Sequence, residues 1–226
     1  MSQSAEKLSA EIKKTANLNY LQYLPDDYGT TDKKYPLIIF LHGAGERGND
    51  INMVKKHGIP KLIEENASVI REYEFIAVSP QCPEGMWWNV LYDEIDTLIQ
   101  TCVENLQVDK SRIYLTGLSM GGYGTWYFAL KHPRAFAAIA PICGGAEACG
   151  RLSIIKNVPI WAFHGEKDDV VPFSQSAEVV DKLKELGANV KFTAYPELFH
   201  DSWTVTYNNP DFYKWLFAQK NKKFQF

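Results

Sequence analysis

Ser119 lies in the segment Gly117-Leu-Ser-Met-Gly121, which has the spacing G-x-S-x-G. A buried-strand pattern precedes this segment and a helical pattern follows it. In such a sharp turn the serine adopts strained backbone angles, and the flanking glycines let neighbouring chains approach closely. The following helix also points its positive end at negative charge developing near the serine. The segment predicts Ser119 as the nucleophile of an acyl transfer; the alternative is a glycine-rich turn holding an ordinary serine.

A serine hydroxyl is a poor nucleophile until a base removes its proton, and the chain has five histidines that could do so. His200 lies on a loop between the last predicted strand and the last predicted helix, where the base belongs in the chain order Ser, Asp, His. His42 and His164 each end a buried strand, and we expect them to orient loops. We expect His57 to be solvated or to cap a helix, and His132 to lie at the surface.

The acid that orients the base should follow a strand and lie between the nucleophile and the base in the sequence. Residues 164–172 fit this position and offer three carboxylates, Glu166, Asp168 and Asp169. Such a carboxylate holds the imidazole tautomer and stabilises the imidazolium ion. Chain order alone leaves the choice among the three open.

The glycine-rich loop Leu41–Gly48 follows an early buried strand and can present a backbone N–H group to a substrate oxygen. A second N–H group is expected from Met120, the residue after the nucleophile. Gly43, Gly45 and Gly48 also have G-x-G-x-x-G spacing. No helix opens directly after them with an acidic ribose ligand at the right distance, so we do not interpret them as a dinucleotide site.

Three tryptophans are candidates for substrate contacts. Trp87 and Trp88 follow the predicted strand at Glu74–Pro80, and Trp203 lies close to His200 in sequence. Aromatic walls of this kind suit an acyl or aryl group or the face of a sugar. The alternative is that these side chains only pack their loops against the domain.

Short apolar runs alternate with helical patterns, which predicts an α/β fold with a mostly parallel central sheet and helices on both faces. The strand-like runs are Leu18–Leu24, Pro36–His42, Glu74–Pro80, Arg112–Thr116, Phe136–Ile142, Val158–His164 and Val190–Tyr195. An apolar stripe from Ile95 to Leu106 and a second pattern around Val179–Leu183 predict helices, as does Asp211–Ala218. We predict one domain over residues 1–226, with an N-terminal extension at 1–15 and a solvated polar tail at 220–226.

The 226 residues carry a net charge of −3, which argues against a nucleic-acid partner. No apolar stretch approaches the roughly 20 residues that span a bilayer, so no membrane association is expected. The N-terminus has no signal-peptide pattern, and the four cysteines form no C-x-x-C pair. We therefore expect a cytoplasmic protein with reduced thiols, no metal and no cofactor; Cys143–Cys149 is the one disulfide candidate.

Together these motifs resemble the α/β-hydrolases, and in particular compact bacterial esterases near the phospholipase/carboxylesterase and dienelactone-hydrolase-like groups. The resemblance begins near Leu18 and rests on the following segments: Leu41–Gly48, Ser79–Cys82, Arg112–Trp126, His164–Pro172 and His200–Trp203. The family pattern H-G-x-x-D-x-V-V-P implies Asp168 as the acid, and H-G-x-G implies Ala44 as the first oxyanion donor. A serine at position 119, in place of the cysteine of dienelactone hydrolases, favours an esterase.

The resemblance implies a serine esterase that cleaves small-molecule or glycan-linked esters, with short-chain, aryl or carbohydrate esters as substrates. A thioesterase, a serine peptidase and a non-catalytic binding module are the alternatives. About fifteen residues separate the strand ending near Ile142 from the one starting at Val158. This is too short for an inserted cap domain, so we expect an open site that favours exposed, bulky esters over buried lipid chains.

Overall fold

The seven strands found among the described residues belong to one sheet. This computed structural model describes residues 4–11, 13–146 and 149–226, with the backbone alone for Cys149. The strands are β1 Tyr20–Tyr23, β2 Tyr35–Leu41, β3 Ile76–Pro80, β4 Val108–Leu118, β5 Ala138–Ile142, β6 Ile160–Gly165 and β7 Val190–Tyr195. Their order is β1-β3-β2-β4-β5-β6-β7, and every neighbouring pair is parallel except β1 with β3. The predicted mostly parallel sheet is confirmed.

Seven α-helices occur in the described ranges and cover the sheet on both faces. They are α1 Gly58–Glu64, α2 Ser68–Arg71, α3 Tyr92–Asn105, α4 Met120–Lys131, α5 Ser174–Glu185, α6 Trp203–Tyr207 and α7 Pro210–Ala218. Apolar residues of α3, α4 and α5 pack in one buried cluster, and those of α1, α2, α6 and α7 pack in a second. Alternate residues of β2 enter the two clusters, as expected for a strand covered on both faces.

Several short elements were not predicted from the sequence. Helices α1, α2 and α6 are seven, four and five residues long, too short to show a clear apolar stripe. Four 3₁₀ segments occur at Ala44–Glu46, Ile51–Lys56, Trp88–Val90 and Cys149–Ile155. Strand β4 also begins earlier than the apolar run suggested, because Val108 pairs with Tyr35 of β2 ahead of a register shift and the polar residues 109–111 follow it.

The predicted polar tail at 220–226 is solvated in part: Lys220, Lys222 and Lys223 are exposed, whereas Asn221, Phe224 and Phe226 are partly buried. The Asn221 amide donates to the Ser111 carbonyl at 2.8 Å, and the Phe226 ring stacks on His132 with 4.3 Å between centroids. These contacts also half-bury His132, whose ring pairs with Asp96. The aromatic residues of the tail are partly buried because they have apolar surface to remove from water, while its lysines stay in solvent.

At the other terminus, the described residues before β1 form no regular secondary structure. Lys14 nevertheless pairs with Asp93 and Glu94 at the start of α3, at 3.1 Å in each case. Within the described ranges, no helix is both long enough and apolar enough to cross a membrane. The cytoplasmic location stays a prediction, and the Cys143–Cys149 bridge lies outside the described side chains.

Candidate active site

Ser119 stands at the turn between β4 and α4 in a backbone conformation that most residues avoid, with φ 53° and ψ −116°. The flanking glycines are required by close packing. A Cβ atom on Gly121 would lie 1.9 Å from the Leu41 carbonyl oxygen, and one on Gly117 would lie 2.4 Å from the Gly121 oxygen. The predicted strand-to-helix turn is therefore present, and its crowding explains both glycines.

The structure brings Ser119, His200 and Asp168 together from three separate loops. His200 Nε2 lies 2.9 Å from Ser119 Oγ, and His200 Nδ1 lies 2.9 and 2.8 Å from the two Asp168 carboxylate oxygens. Because an ionised carboxylate only accepts, Nδ1 carries the hydrogen and Nε2 accepts from the serine hydroxyl. This is the protonation state in which His200 can act as a base toward Ser119.

The Asp168 side chain is fully buried and receives hydrogen bonds on both oxygens. Its Oδ1 accepts the amide N–H groups of Val170 and Val171 at 3.0 and 2.9 Å. Burial alone would raise the pKa of Asp168, but the hydrogen bonds from His200 and the two amides outweigh it and hold the pKa below its ordinary value. Asp168 is thus kept as a carboxylate, whereas Asp169 and Glu166 are exposed.

His164 is a member of this network that sequence reasoning did not connect to Asp168. Its Nε2 lies 3.1 Å from Asp168 Oδ2 and 2.9 Å from the Val171 carbonyl, and its Nδ1 lies 2.7 Å from Ser176 Oγ. Burial lowers the pKa of His164, so the ring is neutral. Because Nε2 faces only acceptors, it carries the hydrogen of the neutral ring. Nδ1 and the Gly144 carbonyl both lie within hydrogen-bond distance of Ser176 Oγ, whose single hydrogen they share. The i, i+4 spacing of His164 and Asp168 across a tight turn was the available signal.

Ala44 and Met120 have the backbone positions expected of oxyanion donors. Ala44 is the first residue of a 3₁₀ segment and Met120 is the first residue of α4. Amide groups at such positions have no acceptor within their own helix. Both residues line the same cavity as Ser119.

His42 fixes the loop that carries Ala44, as the sequence suggested. Its Nδ1 donates to the Gly43 carbonyl at 2.6 Å, and its Nε2 accepts the Cys82 amide at 2.9 Å. Burial lowers the pKa of His42 to about 4, which keeps the ring neutral. The Trp88 indole donates to the His42 carbonyl at 3.0 Å, which holds the segment of Trp87 and Trp88 against the loop that carries Ala44.

A cavity of about 560 Å³ opens at Ser119, and its walls are mainly aromatic and apolar. Trp87, Trp88, Tyr123 and Tyr127 all line it. The two tryptophans differ in exposure, since Trp87 is 52% exposed and Trp88 only 1%. Trp87 therefore forms a rim that a substrate can reach, and Trp88 forms part of the packed wall.

Trp203 does not line this cavity. Its ring packs edge-on against His200 with 5.1 Å between centroids, and against His57 at 5.5 Å. Helix α6 begins at Trp203, three residues after His200, and this places the indole against the imidazole. Trp203 therefore contacts the base directly, and its predicted contact with the substrate stays a prediction.

One group of potential metal ligands occurs in the described ranges: Cys143, Asp168 and His200, whose ligand atoms lie within 4.8 Å of one another. Asp168 and His200 already satisfy each other by hydrogen bonding. Burial raises the pKa of the Cys143 thiol, so it stays protonated, and a thiol is a poor ligand compared with a thiolate. We assign no metal to this group.

Comparison with known proteins agrees with this geometry. The phospholipase/carboxylesterase family matches residues 89–209, which is more than half of the 226 residues. The chain belongs to this family. A solved thermostable esterase superposes with a TM-score of 0.81 and 37% identity, covering 90% of this chain and 59% of that one. The fold of this family member is therefore the α/β-hydrolase fold that the sequence resemblance implied.

Two curated relatives of this family member carry more specific names. A bifunctional acetylxylan esterase/xylanase of Neocallimastix patriciarum is 28% identical over 145 residues, which cover 62% of this chain and 20% of that protein. A probable feruloyl esterase C of Aspergillus niger is 28% identical over 172 residues, covering 73% and 60%. The chain thus spans from a fifth to less than two thirds of the length of these relatives.

Proposed function

We propose that this protein is a serine hydrolase that cleaves carboxylic esters through an acyl-enzyme intermediate. The observation that carries the proposal is the continuous hydrogen-bonded series from Ser119 Oγ through His200 to Asp168, with distances of 2.8–2.9 Å. Membership of the phospholipase/carboxylesterase family supports the same chemistry.

In the proposed reaction, His200 Nε2 takes the proton of Ser119 as its oxygen attacks the ester carbonyl. Asp168 stabilises the imidazolium ion that forms. The amides of Ala44 and Met120 donate to the oxyanion, helped by the positive end of α4. His200 then protonates the leaving alcohol and activates the water that releases the acyl group. None of these steps calls for a metal or an organic cofactor.

For the substrate, we propose short-chain, aryl or carbohydrate esters. The aromatic walls formed by Trp87, Tyr123 and Tyr127 suit a planar or cyclic group. The relatives named as feruloyl and acetylxylan esterases support the same substrate classes.

The test measures hydrolysis of p-nitrophenyl, feruloyl and acetylated-sugar esters together with matched thioesters and amides. The Ser119→Ala variant should lose about 10⁴-fold or more of kcat. Labelling by a fluorophosphonate probe should disappear in the same variant and persist in Ser153→Ala, which removes an exposed hydroxyl. Faster turnover of thioesters or amides than of esters would indicate a thioesterase or a peptidase in place of an esterase. Labelling of the Ser119→Ala variant by the probe would refute the assignment of Ser119 as the nucleophile.

The acid is tested by a matched pair of neighbouring carboxylates. Asp168→Asn should lower kcat by about 10⁴-fold, because the amide no longer holds the His200 tautomer. Asp169→Asn removes the same charge from an exposed side chain and should retain activity. The reverse result would transfer the role to Asp169.

A further inference from the structure

The cavity at Ser119 has a charge opposite to that of the chain. Two of its lining residues, Lys131 and Arg151, are cationic, and no Asp or Glu is among the described residues that line it. The chain as a whole carries a net charge of −3. A positive cavity in an acidic protein attracts anionic ligands in preference to neutral ones.

The charge of Lys131 is already compensated. Its Nζ lies 2.6 Å from the Asp96 carboxylate and 4.3 Å from the centre of the Tyr92 ring. Asp96 also takes a hydrogen bond from His132. Lys131 is therefore held in the wall by partners outside the cavity and is poorly placed to bind a ligand anion.

Arg151 is different, because its guanidinium has no ion-pair partner in the part of the chain that the structure describes. It belongs to the 3₁₀ segment Cys149–Ile155, which packs against α4 and α5. An exposed arginine on an ordinary surface is simply solvated. This one lines the same cavity as Ser119, among apolar and aromatic walls, where few polar groups determine how a ligand is oriented.

The cavity extends from Ser119 along α4, so it has room for a ligand longer than the ester group itself. Ser119 and Lys131 both line it and stand at opposite ends of α4. Twelve residues of helix at about 1.5 Å each make this wall about 18 Å long. Tyr123 and Tyr127 lie between the two ends, so a ligand can extend along the helix beyond the serine.

We propose that Arg151 binds a carboxylate carried by the substrate at a distance from the ester that is cleaved. The planar guanidinium presents paired donors that match a carboxylate, which a lysine does not offer. This inference rests on the proposed ester hydrolysis and narrows its substrate class to esters with a second, acidic group. The acid can belong to the acyl part, as in a half-ester of a dicarboxylic acid, or to the alcohol part, as in an ester of a hydroxy acid.

The experiment compares acidic esters with their neutral partners. One arm uses p-nitrophenyl hydrogen dicarboxylates of increasing chain length, each paired with its methyl ester. A second arm uses acetate esters of hydroxyphenylalkanoic acids, again paired with their methyl esters. The quantity measured is the ratio of kcat/KM for the acidic ester to kcat/KM for its neutral partner, at low and high salt.

We expect the wild-type ratio to exceed one for at least one chain length, and Arg151→Gln to lower it about tenfold. High salt should reduce the ratio in the wild type, since the guanidinium is exposed to screening ions. Lys156→Gln removes a neighbouring exposed charge that does not line the cavity and should leave the ratio unchanged. The arm that shows the preference identifies whether the acid lies on the acyl or the alcohol part.

A ratio that is the same in the wild type, Arg151→Gln and Lys156→Gln would overturn the inference. Binding is measured separately by titrating Ser119→Ala and the double variant Ser119→Ala/Arg151→Gln with the acidic esters, using tryptophan fluorescence. This arm requires no turnover, so failure of the proposed hydrolysis and failure of anion binding give different results. Equal affinity of the two variants would also refute the role of Arg151.

Discussion

Replacing His164 tests whether the carboxylate that faces His200 needs all of its hydrogen-bond donors. Asp168 accepts from His200, from the amides of Val170 and Val171, and from His164 Nε2. His164→Leu removes the last of these and leaves a buried apolar side chain in its place. Asp168 Oδ2 then depends on His200 alone.

The expected magnitude follows from the kind of bond that is lost. A hydrogen bond to a charged group contributes about 1.5–3 kcal/mol, and each 1.4 kcal/mol corresponds to about a tenfold change. We therefore expect His164→Leu to lower kcat about 10- to 100-fold. That is less than the loss predicted for Asp168→Asn, because three donors remain and the carboxylate itself is kept. KM should change little, since neither His164 nor Asp168 lines the cavity.

His164→Gln is the matched control, because its side-chain N–H group can reach the region that Nε2 occupies. The assay is steady-state hydrolysis of a p-nitrophenyl ester, with urea unfolding of each variant to confirm that the enzyme is folded under assay conditions. Recovery of kcat in the glutamine variant supports a hydrogen bond from residue 164 to Asp168. Wild-type kcat in a folded His164→Leu variant, or equal losses in both variants, would refute the reasoning.

Three further predictions concern the surroundings of the site. Because Trp87 is exposed, Trp87→Ala should lower kcat/KM for aryl esters with little change in Tm. Because Trp88 is buried, Trp88→Ala should instead lower the unfolding free energy by about 3–5 kcal/mol. Steady-state kinetics and thermal unfolding of both variants distinguish these two effects. Gly45→Ala should fold normally because its Cβ would meet no atom within 4 Å, and Gly121→Ala should fail to give soluble enzyme because its Cβ would lie 1.9 Å from a backbone oxygen. The unfolding free energy should fall as the pH drops from 6.5 toward about 4, because His42 takes up a proton in the unfolded chain while burial keeps it neutral in the folded protein. Urea unfolding at several pH values checks this, since the His42→Gln variant should show a shallower dependence of the unfolding free energy on pH.

The sheet was predictable because its strands are buried on both faces and therefore read as apolar runs. Strand β7 has the bounds that the sequence suggested, and the buried parts of β2 and β6 were also located. Since the carboxyl ends of parallel strands lie at one edge of a sheet, the loops after β4, β6 and β7 had to converge. That convergence explains why Ser119, His200 and a carboxylate of residues 164–172 could be grouped from the sequence, whereas the choice of Asp168 rested on the family pattern.

Features that depend on single long-range contacts were not predictable in the same way. The C-terminal tail is mostly polar in composition, yet the Phe226 ring stacks on the ring of His132. Trp203 follows His200 closely in sequence, but only the direction of α6 decides that it packs against the imidazole. Such contacts depend on three-dimensional neighbours that leave no periodic signal in the local sequence.

His42, His164 and His200 differ in burial, and this difference determines which of them can act as a base. His42 directly follows β2 and His164 lies one residue before the end of β6, and each precedes a glycine. Burial lowers the pKa of both, so each stays neutral and serves as a fixed hydrogen-bonding group. His200 is partly exposed and faces a hydroxyl on one side and a buried carboxylate on the other. That difference in surroundings, and not the residue type, supports the proposed role of His200 as the base, while the other two histidines hold the loop of Ala44 and the Asp168 carboxylate in place.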